Sequence, residues 1–287
     1  MIMANTNSTF PFLDCGGGGE TLYFLHANGY PPECYLPLLE TFTNSHHVLG
    51  MKLRPLWEGH ETEVMTDWQP LSDDLVHFLK QQNDAKAILV GHSLGAVVSL
   101  RAAIQEPGFF RALVLLDPVI FPPAVIYGWK FIKSLGLGYK LHPFIPTAQK
   151  RRRAFENQEV VYRAYRQKKI FRFIDNHNLR IMIAGMVRPT DGRGYELSYS
   201  PEWEVQIYYT GVSSDMDIWR GLPQVKIPIM IIRGSETNTF FSVTANRVKK
   251  MLPTVQVETI SEATHLVPLE RPDIVSRIIL DFLETVQ

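Results

Sequence analysis

The chain is poor in several things, and each shortage excludes a class of protein. It has two cysteines, Cys15 and Cys34, in 287 residues. That is too few for a disulfide framework, so a reducing compartment is expected. It carries no excess charge, because 29 Lys and Arg balance 29 Asp and Glu. The whole chain therefore has no electrostatic footprint for nucleic acid. Its beginning, MIMANTNSTF, lacks the basic start and long apolar run of a secretory leader. No stretch reaches the ~18 uncharged apolar residues that a membrane span needs. No metal pattern such as H-E-x-x-H occurs. The glycine run Gly16–Gly19 is not followed by Lys-Ser or Lys-Thr. It reads as a turn between two N-terminal strands, not as a phosphate loop. The expectation is a soluble, cytoplasmic protein with no membrane span, no nucleic-acid partner, no metal and no cofactor.

What is present fits one large α/β domain with room for an insertion. Apolar residues make up 45% and charged residues 20%, an ordinary globular balance. Short apolar runs recur at 21–27, 46–53, 85–92, 112–118, 227–234 and 255–260. Their length and their Val, Ile and Leu content predict strands buried on both faces of a parallel sheet. Helical patterns lie between them. Asp67 is placed to cap a helix through LSDDLVHFLKQQ, and LGAVVSLRAAIQ starts directly after Ser93. FSVTANRVKKML and DIVSRIILDFLETV are also helical, the latter entered through Pro272. This alternation implies βαβ units. It breaks between 122 and 219, which reads as a mostly helical insertion flanked by core segments 1–121 and 220–287.

GHSLGA at 91–96 is a G-x-S-x-G motif placed between a predicted strand and a predicted helix. Gly91 and Gly95 leave room for backbones to cross in a tight turn. Ser93 is then held with its hydroxyl at the end of the sheet, at a helix N-terminus that favours developing negative charge. The plainer alternative is a turn whose serine merely caps a helix. A serine hydroxyl needs a neighbour to take its proton. Of nine histidines, His265 in SEATHLVPLERPD is best placed. It follows the last predicted strand, at the carboxyl edge where the turn carrying Ser93 also lies. His92 reads as a packing or hydrogen-bonding residue. His46, His47, His60, His77, His142 and His177 have no motif context and receive structural readings.

LHANGY, GHSLGA, LLDPV and ATHLVPLERPD, in that order, resemble the α/β-hydrolase superfamily over nearly the whole chain. The likeness is greatest to bacterial members of unassigned substrate, which share the HANGY start, an RPLW stretch (Arg54–Trp57) and a cap with an Arg-rich piece. The resemblance implies an α/β-hydrolase fold, with the insertion as a helical cap, and a nucleophile–histidine–acid triad. In most of the superfamily the acid follows the next-to-last strand in a G-x-x-D pattern. This chain has Gly234-Ser235-Glu236-Thr237 there, so the aspartate position holds Thr237. Two candidates remain. Asp117 ends a predicted strand at the catalytic edge and is favoured, as in members that take the acid from that strand; Glu236 is the alternative. For the tetrahedral oxygen, the N–H of Leu94 beside the nucleophile is one expected donor. The resemblance implies the N–H of Asn28 as the other, with His26 stabilising that loop.

The insertion holds fifteen Lys and Arg against nine Asp and Glu, densest at Lys150–Arg153 and Lys168–Lys169. Such runs are usually solvated helix faces; the sharper alternative is attraction of an anionic substrate or a membrane surface. Phe121, Tyr127, Trp129 and Phe131 could line an acyl pocket or pack a helix on the core. The expected activity is hydrolysis of a small-molecule carboxylic ester or thioester. The same apparatus also suits cleavage of a carbon–carbon bond or acyl transfer. From another class, a non-catalytic small-molecule binding protein on the same fold competes with these.

Overall fold

The computed structural model describes residues 3–5 (backbone only), 10–59, 65–84, 86–213 and 215–286. His60 lies outside the described residues. Among the described residues, eight strands form one sheet in the order β1-β2-β4-β3-β5-β6-β10-β11. They are β1 (Met3–Asn5), β2 (Phe12–Gly16), β3 (Glu20–Leu25), β4 (His46–Met51), β5 (Ala87–His92), β6 (Phe110–Leu116), β10 (Ile229–Gly234) and β11 (Gln256–Ile260). β2 runs antiparallel to β1 and β4, and every pair from β4 to β11 is parallel. Each predicted apolar run overlaps one of these strands. The turn after β2 uses Gly16, Gly17 and Gly19 at positive φ.

β5 is buried at all six positions, as a central parallel strand must be when helices cover both faces. Its side chains alternate between two cores. Ala87 and Leu89 join the cluster under α2 (Gln69–Gln81) and α3 (Leu94–Gln105), whereas Ile88 and Val90 join the cluster under α1 (Leu36–Phe42) and α13 (Pro272–Glu284). The cap of α2 differs from expectation. The cap position is Trp68, and the Asp67 carboxylate accepts the Gln69 N–H at 2.8 Å from one residue earlier. Pro70 in the first turn removes one donor, so less capping is needed there.

Between β6 and β10 lie α4 (Pro123–Ser134), α5 (Gly138–Leu141), α6 (Ile145–Gln149), α7 (Gln158–Arg166), α8 (Asn176–Met186), α9 (Pro201–Thr210) and α10 (Asp215–Gly221). After β10 come α11 (Ser242–Met251) and the short α12 (Val267–Glu270) before α13. The segment is not only helical. β7 (Ala154–Phe155), β8 (Val187–Pro189) and β9 (Tyr195–Leu197) form a small antiparallel sheet in the order β7-β9-β8. Strands of two or three residues are too short to show a period-two pattern, which is why the stretch reads as mostly helical. The boundary at 219 falls inside α10, whose Ile218 and Trp219 are buried with the residues under α2 and α3. Among the described residues, no helix is long and apolar enough to cross a membrane.

Candidate active site

β5 ends at His92 and α3 begins at Leu94, so Ser93 alone makes the turn, with φ 54° and ψ −109°. A side-chain-bearing residue at positive φ costs about 1–3 kcal/mol. Its surroundings enforce the conformation. The Ser93 N–H donates to the Leu116 carbonyl at 2.9 Å, and its own carbonyl accepts the Val97 N–H at 3.2 Å. The two glycines are required by close approach. A Cβ on Gly95 would lie 2.3 Å from the Leu25 carbonyl oxygen, and one on Gly91 would lie 2.6 Å from the Gly95 backbone.

Ser93 Oγ lies 2.8 Å from His265 Nε2, and His265 Nδ1 lies 3.0 Å from Asp117 Oδ1. Asp117 is fully buried just past the end of β6, with φ 40°. Burial alone would raise its pKa. The hydrogen bond and charge of His265, with the hydroxyls of Thr237 and Thr239, outweigh that and hold the carboxyl below its usual range. Oδ1 accepts from Thr237 Oγ1 and Thr239 Oγ1, each at 2.5 Å, and Oδ2 accepts the Gly234 N–H at 3.0 Å. An ionised carboxylate only accepts, so Nδ1 of His265 carries the proton and Nε2 is left to accept from the Ser93 hydroxyl. Thr239 Oγ1 is also 2.8 Å from His265 Nδ1, so this hydroxyl touches both partners. Glu236 is elsewhere: its carboxylate pairs with Arg172 of the inserted segment.

Two buried histidines hold the backbones around this line. His92 Nε2 donates to the His265 carbonyl at 2.8 Å, and its Nδ1 accepts from the Tyr35 hydroxyl at 2.7 Å. The Tyr35 oxygen in turn accepts the Ala27 N–H at 3.3 Å. The chain Ala27–Tyr35–His92–His265 thus ties the loop after β3 to the loop after β11. Burial, followed by the proximity of His265, pushes the His92 pKa down to about 3, which keeps this tautomer neutral. His26 accepts the Leu53 N–H at Nε2 and donates from Nδ1 to the Ala27 carbonyl; burial pushes it down to about 4. Glu270 accepts both the N–H and the hydroxyl of Thr264 at 2.6 and 2.7 Å, fixing the residue before His265.

A cavity of about 170 Å³ opens on Ser93. Ala27, Asn28, Leu94, Thr239 and His265 share its wall, so both residues expected to supply oxyanion donors face it. The remaining wall is mainly apolar, with Trp68, Phe121, Ile170, Ile207 and Val212. Asn28 Nδ2 donates to the Glu204 carbonyl on α9 at 3.1 Å, while its Oδ1 is buried without a partner among the described residues. Of the four aromatics proposed for a pocket, Phe121 lines this one; Tyr127 and Phe131 are exposed, and Trp129 meets His142 edge-on. His142, given a structural reading, also lines the cavity, and burial lowers its pKa to about 4. Of the other histidines, His46 contacts Ser45 Oγ, and His47 pairs with Asp14. His77 and His177 lie on α2 and α8. Thr239 escaped the sequence reading, and Thr237 entered it only as the residue in the usual aspartate position, because a threonine two residues from another carries no motif. Among the described residues, no cluster of three or more His, Cys, Asp and Glu could hold a metal.

With a serine, an imidazole and a carboxylate in line at the edge of a parallel sheet, the class is defined. Residues 22–278 match the alpha/beta hydrolase family, and the chain belongs to it. Its relatives include hydrolases and acyltransferases. It is 24% identical over 231 residues to ethanol acetyltransferase 1 of Hanseniaspora uvarum, a match that takes in 76% of this chain and 66% of that one. It is 23% identical to 2-(acetamidomethylene)succinate hydrolase of Mesorhizobium japonicum, over 93% of this chain and 89% of that protein. The crystal structure of E-2-(acetamidomethylene)succinate hydrolase superposes with a TM-score of 0.79 at 20% identity, covering 99% of this chain and all of that one. That structural likeness carries the fold.

Proposed function

We propose that the protein is a serine hydrolase that cleaves a carboxylic ester or thioester through an acyl-enzyme. The observation that carries this reading is the line Asp117–His265–Ser93, with contacts of 3.0 and 2.8 Å. Ser93 Oγ attacks the acyl carbon as His265 Nε2 takes its proton. Asp117 fixes the tautomer and stabilises the imidazolium. The oxyanion is met by the N–H groups of Leu94 and Asn28 and by the N-terminus of α3. The tetrahedral species collapses, the leaving oxygen or sulfur takes the proton from His265, and the acyl group stays on Ser93. Water, deprotonated by the same imidazole, then releases the carboxylic acid. Residues 122–219 act as a cap that roofs the cavity and selects the acyl group.

Two kindred chemistries share this apparatus. Acyl transfer to an alcohol replaces water in the second half, a reading favoured by the acetyltransferase among the relatives. Cleavage of a carbon–carbon bond places a carbon leaving group in the first half. The test is labelling by a fluorophosphonate probe together with a screen of p-nitrophenyl and coenzyme A esters. Wild-type labelling and turnover that vanish in Ser93→Ala support the enzyme. Absence of labelling in folded wild type favours a binding protein on the same fold.

A further inference from the structure

The cavity on Ser93 does not stand alone. A second cavity of about 190 Å³ shares Tyr30, Phe144, Ile170 and Tyr208 with it. A third, of about 390 Å³, shares Thr147, Arg151, Tyr165 and Lys168 with the second. By their shared walls the three are neighbours, from an apolar chamber at Ser93 to a basin bordered by cations. That basin is lined by Lys150, Arg151, Arg152 and Lys168, and among the described residues no acidic one lines it.

What separates the basin from an ordinary solvated face is that its unpaired cations gather round one hollow. Elsewhere on the cap, cations such as Arg166, Lys169 and Arg193 also form no ion pair among the described residues but line no common hollow with one another, whereas Arg153, Arg163, Arg172, Arg180 and Arg188 each have a carboxylate partner. In the basin, only Arg151 does. It pairs with Glu204 in the middle cavity and donates to Tyr165 Oη at 2.9 Å. Lys150, Arg152 and Lys168 form no ion pair among the described residues. Arg152 lies 5.2 Å from the Phe155 ring centre and Lys168 lies 4.0 Å from that of Tyr165, so both heads are held on aromatic faces at the rim. Burial and then the Arg151 charge lower the Lys168 pKa, and Glu204 offsets them only in part. Three cations without counter-charge around one hollow create a site for an anion.

We infer that the substrate is elongated and carries an anionic group, phosphate or carboxylate, that binds Lys150, Arg152 and Lys168 while its acyl carbon lies at Ser93. This rests on the hydrolase reading above and narrows it to a substrate class. A phosphate-bearing carrier would reach the basin by its leaving group; a dicarboxylic monoester would reach it by the far end of its acyl chain.

The experiment compares matched substrates in the full-length protein. Butyryl-coenzyme A is set against the N-acetylcysteamine thioester of butyrate for the phosphate source. The mono-p-nitrophenyl ester of glutarate is set against p-nitrophenyl valerate for the carboxylate source. In at least one pair, kcat/KM for the charged member should exceed that of the neutral one by about tenfold or more, the worth of a charge-assisted contact. That ratio should fall toward one in Arg152→Gln/Lys168→Gln and in high salt. A general loss of activity lowers both members and leaves the ratio fixed. Ratios near one in both pairs, or a ratio unmoved by the double substitution, overturn the inference while leaving the hydrolase intact. If neither member of any pair is turned over, calorimetry with Ser93→Ala decides: coenzyme A or glutarate binding that weakens in the triple variant upholds the anion site, and no binding removes it.

Discussion

Thr237 Oγ1 lies 2.5 Å from Asp117 Oδ1, so the loop after β10 supplies a donor to a carboxylate carried by the loop after β6. Thr239, two residues on, reaches the same oxygen and also His265. The two loops therefore share one acid site, filled from one side by a carboxylate and from the other by hydroxyls. Asp117→Asn should lower kcat by about 10³–10⁴-fold, because the amide no longer fixes the imidazole tautomer. Glu236→Gln, which frees Arg172 at the surface, should change kcat by less than about threefold. A dead Glu236→Gln with an active Asp117→Asn reverses the assignment. Steady-state kinetics on any ester found in the screen reads both.

The shared site also predicts that the acid can be moved. Thr237→Asp in the Asp117→Asn background puts a carboxylate on the other loop, close to the same hydrogen-bonding position. We expect kcat to recover at least about tenfold over Asp117→Asn alone, since a carboxylate near Nδ1 restores the productive tautomer. No recovery, in a protein whose thermal unfolding matches the single variant, means that the loop after β10 cannot present an acid to His265.

Much of this site was legible in the residues and part was not. Ser93 announces itself because a strand, a tight turn and a helix constrain each neighbour: Gly91 and Gly95 are forced by contacts of 2.6 and 2.3 Å. Asp117 was legible as a polar residue closing an apolar strand, yet Glu236 competed with it, since sequence distance says nothing of where a side chain points. Thr239 is an ordinary loop residue until the fold brings it against both Asp117 and His265, and Thr237 until it meets Asp117. The sheet could be read because β5 and β6 are buried almost throughout. The strands β7, β8 and β9 could not, because two or three residues carry no period. The three linked cavities depend on how α6, α7 and α9 stack, which no local pattern encodes.

Strain at the turn gives a stability prediction. Ser93 holds φ 54° and ψ −109°, a conformation that glycine adopts more readily. Ser93→Gly should therefore be more stable than Ser93→Ala by about 1 kcal/mol, although both lack the nucleophile. Urea unfolding of the two variants measures this directly. If Ser93→Ala equals or exceeds Ser93→Gly in stability, the turn stores no strain that a side chain feels.

The neutral His92 predicts an acid sensitivity of folding. Its folded pKa, near 3, is well below the ordinary value of 6.5, because it is buried and lies beside His265, which together outweigh its hydrogen bond to the His265 carbonyl. The unfolded chain binds the proton first as pH falls. Stability from this residue is thus complete above pH 6.5 and drains as pH drops toward the folded value. Between pH 7 and 5 the loss is about 2 kcal/mol. Other groups titrate in this range, and Asp215 acts in the opposite sense, since burial raises its pKa to about 7. The informative quantity is therefore a difference. The gap in unfolding free energy between wild type and His92→Gln should shrink by about 2 kcal/mol from pH 7 to pH 5. Glutamine has no proton to take up in this range, and it can span the same two partners. A gap that stays constant with pH would mean that His92 takes up its proton as readily in the folded protein as in the unfolded chain, and the link from Ala27 through Tyr35 to the His265 loop would then not hold the ring neutral.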